Sequence, residues 1–195
     1  GRVFQRIELR RPNLRFEFPK GFAEAMQGAK IEAMERRAKY ILVHCSNGKS
    51  LILHLGMTGR FTVVKADGQS FEPGAFYHAA GGKTELGPHD HVVWHLDNGA
   101  RVIYNDARRF GFMEWADTHA RDEHKLLKDI GVEPLGNHFH LDHLVEKLRD
   151  KKAPMKAALL DQHVVAGLGN IYVSEALFRA NISPTLAAGR LVKAR

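Results

Sequence analysis

Cysteine is almost absent from this chain. Its 195 residues include one, Cys45, which excludes an internal disulfide and any self-contained zinc site built on several thiolates. Set in an apolar segment, that thiol is expected to be a buried strand residue in a reducing compartment. Long apolar runs are missing too: none approaches the ~18 residues that a membrane helix needs. No leader-like pattern opens the sequence, and no internal repeat or low-complexity tract interrupts it. What is present is a 44% apolar fraction, ample for a core, and an excess of cations, 29 Lys and Arg against 22 Asp and Glu for a net charge of +7. Residues 1–116 hold 17 basic and 12 acidic side chains, and residues 117–195 hold 12 and 10. Both parts are basic, which suits a polyanion lying across both.

Residues 3–10 alternate apolar and charged side chains, the period of a half-buried strand, and residues 14–16 read as a short second strand. Residues 22–27 predict one or two helical turns. A meander follows, with strands predicted at 31–36, 40–45, 50–55 and 60–64 and a hairpin turn at Ser46-Asn47-Gly48-Lys49. Residues 65–88 have no period and read as a long mobile loop. Another hairpin spans 91–96 and 101–104, around Asp97-Asn98-Gly99. Beyond Trp115 the pattern becomes helical: a helical linker over 117–130, a loop over 131–136, and a helix over 141–150 entered at His140.

Residues 151–184 read as two helices joined by a glycine-rich turn. Pro154 suits an early helical position, and Met155, Leu159 and Leu160 share a face that ends at Asp161 and Gln162. After Gly167-Leu168-Gly169, Asn170 sits where an N-cap belongs, and Ile171, Val173, Ala176, Leu177 and Ala180 form a second apolar stripe that stops at Asn181 and Pro184. Such a turn offers unpaired N–H groups and the positive end of a helix dipole to an anion. Lys151, Lys152 and Lys156 come from the other side of the same unit. A phosphate clamp and an ordinary helical hairpin both fit, since GxG before a helix is a weak motif.

Other stretches carry candidate chemistry. Arg36-Arg37-Ala38-Lys39 is either a solvated charged turn or one that aims Lys39 at a phosphate or a reacting centre. In His54-Leu55-Gly56-Met57-Thr58-Gly59 a Met stands exposed at a tight turn, where it can wedge into a base stack. His89-Asp90-His91 invites a metal reading, but adjacent strand residues point to opposite faces, so a hydrogen-bonded or phosphate-facing His89 is preferred. In Asn105-Asp106-Ala107-Arg108-Arg109-Phe110-Gly111 the arginines suit phosphates or bases and Phe110 suits intercalation. The plain alternative there is an Asp106–Arg109 ion pair with Phe110 in the core, leaving Arg108 free.

The segments RRAKYILV, HLGMTG, HDHVVWHL, YNDARRFGF, GVEPLG and AALLDQHVVAGLGNIYVSEALFRANISP, in this order, resemble the bacterial formamidopyrimidine-DNA glycosylase family over essentially the whole chain. The resemblance implies an α+β protein. An N-terminal antiparallel β-sandwich domain (1–116) would precede a helical domain (117–195) with a helix-two-turn-helix module, the DNA cleft lying between them. It implies a bifunctional glycosylase/AP lyase that flips oxidised purines such as 8-oxoguanine and formamidopyrimidines out of duplex DNA and cuts the strand by β-elimination. Lys39 resembles the family's lysine in the elimination step; His54 and Asn170 resemble phosphate ligands, and His89 and Lys151 resemble DNA contacts, with Lys156 on the same surface. Met57, Arg108 and Phe110 resemble the trio that fills the gap left by the extruded base, Arg108 facing the orphaned cytosine.

The resemblance also implies a monomer in the bacterial cytoplasm, at the nucleoid, with no membrane partner. The family's N-terminal Pro-Glu pair and its four-cysteine zinc finger have no counterpart among these residues. The 195-residue polypeptide by itself is therefore expected to hold no metal or other cofactor, zinc belonging to the finger, and to lack activity. Two alternatives remain: an endonuclease VIII-like glycosylase for oxidised pyrimidines, against which the Met57, Arg108 and Phe110 arrangement speaks, and a non-catalytic DNA-binding fragment.

Overall fold

The computed structural model describes residues 1–73 and 85–193. They form two compact units, one from residues 1–36 and 40–121, the other from residues 37–39 together with everything from 122 onward.

Among the described residues the first unit holds nine strands: β1 (Phe4–Leu9), β2 (Ile31–Arg37, its last residue counted with the second unit), β3 (Tyr40–Cys45), β4 (Lys49–His54), β5 (Arg60–Val64), β6 (Ser70–Phe71), β7 (Asp90–Leu96), β8 (Arg101–Asn105) and β9 (Phe112–Asp117). One sheet has the order β1-β7-β8-β5-β6 and the other β2-β3-β4-β9. The pairs β1–β7, β7–β8, β8–β5, β5–β6, β3–β4 and β4–β9 are antiparallel. Strand alternation builds the core: Val92 and Trp94 of β7 meet Val43, Cys45, Leu51, Leu53 and Met113 of the other sheet, so the two sheets form a sandwich. Val93, one residue out of phase, packs on the opposite face of its sheet with Val64, Ile103 and Leu86. The short helix α1 (Phe22–Met26) inserts Phe22 and Met26 into the sandwich core. Full burial of each such side chain stabilises by roughly 1.5–3 kcal/mol.

Three expectations change here. Residues 14–16 are not a strand: a single bridge from Asn13 to Glu17 closes a tight turn, with Leu14 buried beneath it. The start of the 65–88 stretch is a hairpin, β6 folding back on β5 around Asp67 and Gly68 (φ 84°); residues 74–84 lie outside the described residues. The helical linker over 117–130 reduces to a 3₁₀ helix, Thr118–Glu123, followed by turns. Charged side chains dominate that stretch, and Leu127 is its one fully buried apolar anchor, too little for an amphipathic helix.

The second unit holds α2 (Leu141–Leu148), α3 (Met155–Leu160), α4 (Asn170–Arg179) and α5 (Ala188–Lys193). His140 caps α2, its Nδ1 accepting the His143 N–H at 3.3 Å. Leu148, Met155, Ala158, Val164, Val165, Val173, Leu177 and Ala188 form the core. Two positions move by one residue: Pro154 is the N-cap of α3 rather than a helical residue, and the N-cap of α4 is Gly169, with Asn170 opening the helix. The stripe on α4 is also narrower than its sequence suggests, because Ile171, Tyr172 and Phe178 are exposed while Val173 and Leu177 carry the burial. No helix among the described residues is long and apolar enough to cross a membrane.

Candidate nucleic-acid interface

In the first unit two loops pack back to back. One, residues 55–59, joins β4 to β5; the other, residues 106–111, joins β8 to β9. Glycine makes the approach possible. A Cβ on Gly56 (φ 65°) would stand 2.5 Å from the Phe110 carbonyl carbon and the Gly111 nitrogen, and one on Gly111 would stand 1.8 Å from the Tyr104 hydroxyl.

The buried Asp106 carboxylate ties the loops together. It accepts from the Thr58 hydroxyl, from the Tyr104 hydroxyl at 3.0 Å and from the Gly111 N–H at 2.8 Å. Burial pushes its pKa up, but the donors from Thr58, Gly111, Tyr104 and the Arg108 backbone outweigh that and hold it below the ordinary value. Tyr104 is pushed far up, by burial first and then by the Asp106 charge. The plain alternative of an Asp106–Arg109 ion pair is thus set aside: backbone and hydroxyl donors occupy the carboxylate, and Phe110 is not in the core.

This brace leaves an apolar and cationic tip in solvent. Met57 is 72% exposed and Phe110 42%. The Arg108 guanidinium lies over the Phe110 ring, 4.4 Å from its centroid, and its backbone N–H donates to Thr58 Oγ1 at 3.3 Å. Exposed Met and Phe side chains on rigid, glycine-packed loops are apolar surface held ready for a partner.

His54 ends β4 beside this tip. Its Nδ1 accepts the Gly56 N–H at 3.0 Å, which puts the proton of the neutral ring on Nε2. Its ring stacks on Phe112 at 5.1 Å, which fixes its orientation. His89 is exposed, just before β7 begins, and His91 is buried within that strand. His91 Nε2 donates to the Asp106 carbonyl at 2.9 Å, and burial, the largest effect on it, lowers its pKa.

A second cluster lies in the second unit. Ala38 is buried with φ 52°, and its N–H donates to the Glu133 carboxylate at 2.6 Å. Arg37 reaches the same carboxylate at 3.0 Å and the carbonyls of Ile130 and Gly131 at 2.7 and 2.8 Å. This turn is therefore a fixed structure rather than a solvated charged one, and it presents Lys39. Gly167 faces Ala38, and a Cβ on Gly169 would lie 3.7 Å from Lys39 Nζ. The Lys39 ammonium thus stands over the turn that opens α4, and partial burial lowers its pKa.

Gln162 braces that turn from within, donating to the carbonyls of Leu160 and Leu168 and accepting the Gly167 N–H at 2.9 Å. Asn170, Ile171 and Tyr172 of the first helical turn point outward. Lys151 is engaged, 3.3 Å from the Asp161 carboxylate. Lys156, half-buried, lines a separate cavity of about 430 Å³ with Phe178, Asn181 and Pro184. Thr58, Tyr104, Asp106, Glu133 and Gln162 went unremarked as positioning residues in the sequence, since each acts through a bond that has no periodic signature.

Comparison with known proteins gives this geometry its context. Residues 1–113 match the family model described as formamidopyrimidine-DNA glycosylase N-terminal domain, and residues 130–195 match that described as formamidopyrimidine-DNA glycosylase H2TH domain. The chain belongs to the formamidopyrimidine-DNA glycosylase family. It is 52% identical to the formamidopyrimidine-DNA glycosylase of Ruegeria pomeroyi, over 100% of this chain and 66% of that protein. It is 51% identical to the one of Brucella ovis, over 97% and 64%. The chain thus spans somewhat under two thirds of these relatives' length. Among solved structures, a complex between the Lactococcus lactis Fpg and DNA containing an abasic site superposes with a TM-score of 0.80 at 31% identity, over 97% of this chain and 64% of that one. A complex of wild-type Lactococcus lactis Fpg with DNA containing N7-benzyl-Fapy-dG gives 0.80 at 30%. The zinc that the family's finger would carry has no fitting ligand set here: no group of three or more His, Cys, Asp or Glu among the described residues could hold a metal ion, and Cys45 is buried in β3.

Proposed function

We propose that this chain supplies the lesion-engaging surfaces of a glycosylase/AP lyase that removes oxidised purines from duplex DNA by base flipping. The observation that carries the reading is the wedge: Met57, Arg108 and Phe110 stand exposed together on two loops that Asp106 and two close-packed glycines hold rigid. Extruding a base costs a few kcal/mol of lost stacking and pairing. Apolar and guanidinium groups that fill the vacated space offset this cost, and Arg108 is suited to pair with the base left behind. His54, with Nε2 as its protonated nitrogen, and His89 and Asn170 are assigned to backbone phosphates.

Lys39 is assigned to the elimination step. Its ammonium, of lowered pKa above the Gly169 turn, is placed to hold the phosphate next to the abasic sugar and to exchange a proton there. Lys151 and Lys156 add longer-range attraction. Duplex DNA with an oxidised base or abasic site is the partner, and the protein acts on it as a monomer.

Expressed as these 195 residues alone, the polypeptide offers primary amines but no N-terminal secondary amine. It is expected to bind damaged duplex without excising bases or forming a borohydride-trapped adduct. The test is the affinity ratio between an abasic-analogue duplex and an undamaged one. The ratio is expected to exceed one clearly and to fall toward one in a Met57→Ala/Phe110→Ala double variant. Equal affinities in the unsubstituted protein overturn it, and a robust borohydride adduct mapped to Lys39 overturns the expected inactivity.

A further inference from the structure

Beside the wedge, on the side away from Met57 in sequence, lies a cavity of about 390 Å³ lined by Leu14, Arg15, Arg108, Arg109 and Phe110. Two unrelated stretches build it. The tight turn from Asn13 to Glu17 has Leu14 buried at its base and Arg15 at its tip, and the Arg15 N–H donates to the Gly111 carbonyl at 3.1 Å. That bond locks the turn to the 106–111 loop. From the loop side, Arg109 takes a left-handed backbone (φ 54°), with its N–H on the Asp106 carbonyl at 3.2 Å.

Three guanidinium groups thus border one cavity, and among the described residues none of the three forms an ion pair. Arg108 has the Phe110 face, and Arg15 lies 5.3 Å from the centroid of the Phe16 ring. The positive field extends inward as well, since Arg109 and Arg11 both act against protonation of buried His91. Several other arginines of the first unit are paired: Arg6 with Glu8, Arg60 with Glu72 and Arg121 with Glu35. Gathering like charges around a cavity without a carboxylate is unfavourable in the free protein. It becomes favourable when a compact anion with several acceptor oxygens fills the space, and arginine forks match phosphate geometry.

We infer that Arg15 and Arg109 form a clamp for one backbone phosphate of the duplex, next to the step that Phe110 enters. The clamp rests on the reading of this surface as a DNA interface and adds to it a site that the wedge does not need for its own chemistry. Its role is registration: a phosphate held here fixes the height at which Arg108 and Phe110 enter the stack. Arg108 itself stays with the base.

The test is the salt dependence of duplex binding by the 195-residue protein. Each phosphate contact contributes a slope of about −0.9 in log K against log salt. An Arg15→Gln/Arg109→Asn double variant is expected to flatten the slope by about one; Asn suits the left-handed backbone at position 109. The same variant should lose affinity several-fold on damaged and undamaged duplexes alike. Arg15→Lys keeps the charge and loses the fork, so it should keep the slope and lose part of the affinity. Arg2→Gln, an exposed arginine outside the cavity, removes a positive charge away from the clamp and is expected to leave the slope unchanged. Tryptophan fluorescence checks folding of every variant. A wild-type slope in the double variant, or an equal change in Arg2→Gln, overturns the clamp while the DNA reading stands. Absence of duplex binding by the unsubstituted protein overturns both.

Discussion

Asp106 is the residue whose loss the fold should feel most sharply. Its carboxylate is wholly buried and accepts from Thr58, Tyr104 and Gly111. Asp106→Ala leaves the Tyr104 hydroxyl, itself fully buried, and the Gly111 N–H without their acceptor. Each stranded buried donor costs about 1–3 kcal/mol, and charge-assisted bonds sit at the upper end, so about 3–5 kcal/mol is expected in total. Both tryptophans, Trp94 and Trp115, lie in the first unit, so fluorescence-detected urea unfolding reports on that unit alone. With a slope of ~2 kcal/mol per M, the midpoint should fall by roughly 2 M. The pH dependence follows by linkage. The native pKa is depressed, so the stabilisation is present above the unfolded value of about 3.9 and is lost as pH falls through the native value. Asp106→Asn should remove that acid limb. A loss below about 1 kcal/mol, or an acid limb unchanged in Asp106→Asn, would refute the assignment of Asp106 as the brace.

Other consequences can be checked alongside. Gly111→Ala drives a methyl into the Tyr104 hydroxyl and the His54 carbonyl, and should cost at least about 1–3 kcal/mol in the same unfolding assay. Gly169→Ala, by contrast, meets only ordinary contacts near Lys39; it should leave thermal stability nearly unchanged and weaken duplex affinity measured by anisotropy. His91 is buried with a lowered pKa, so stability should decline as pH drops below about 6.5, and His91→Gln should flatten that limb in a pH series of denaturant melts. Burial pushes the Cys45 thiol up to about 11, so iodoacetamide should label it only after denaturation.

Much of the strand pattern was legible because its signal is periodic. Alternation placed β1 and turn signals bounded the strands after it; in β7 the same two-residue period sends Val92 into the core and Val93 to the other face. Turn chemistry was legible as well, with Gly48 at φ 76° in the β3–β4 hairpin. Residues 14–16 misled because one buried Leu between polar neighbours imitates a strand, although only a single bridge forms. At Gly169 and Asn170 the cap shifted by one residue because a helix entered from an extended glycine needs no side-chain cap. The exposure of Met57 was expected from two flanking glycines and is present. Its rigidity could not be read, because it depends on Asp106, a residue 49 positions away whose partners are set by tertiary folding.

The central claim is that Met57, Arg108 and Phe110 act together as a wedge at a damaged base pair. The most direct test places 2-aminopurine beside an abasic analogue in a duplex and follows its fluorescence as the protein is added. Insertion of the wedge unstacks the probe, so fluorescence should rise on binding, and the rise should vanish in Met57→Ala/Phe110→Ala at saturating protein. Saturated binding without any change in fluorescence, or an undiminished rise in the double variant, would contradict the account.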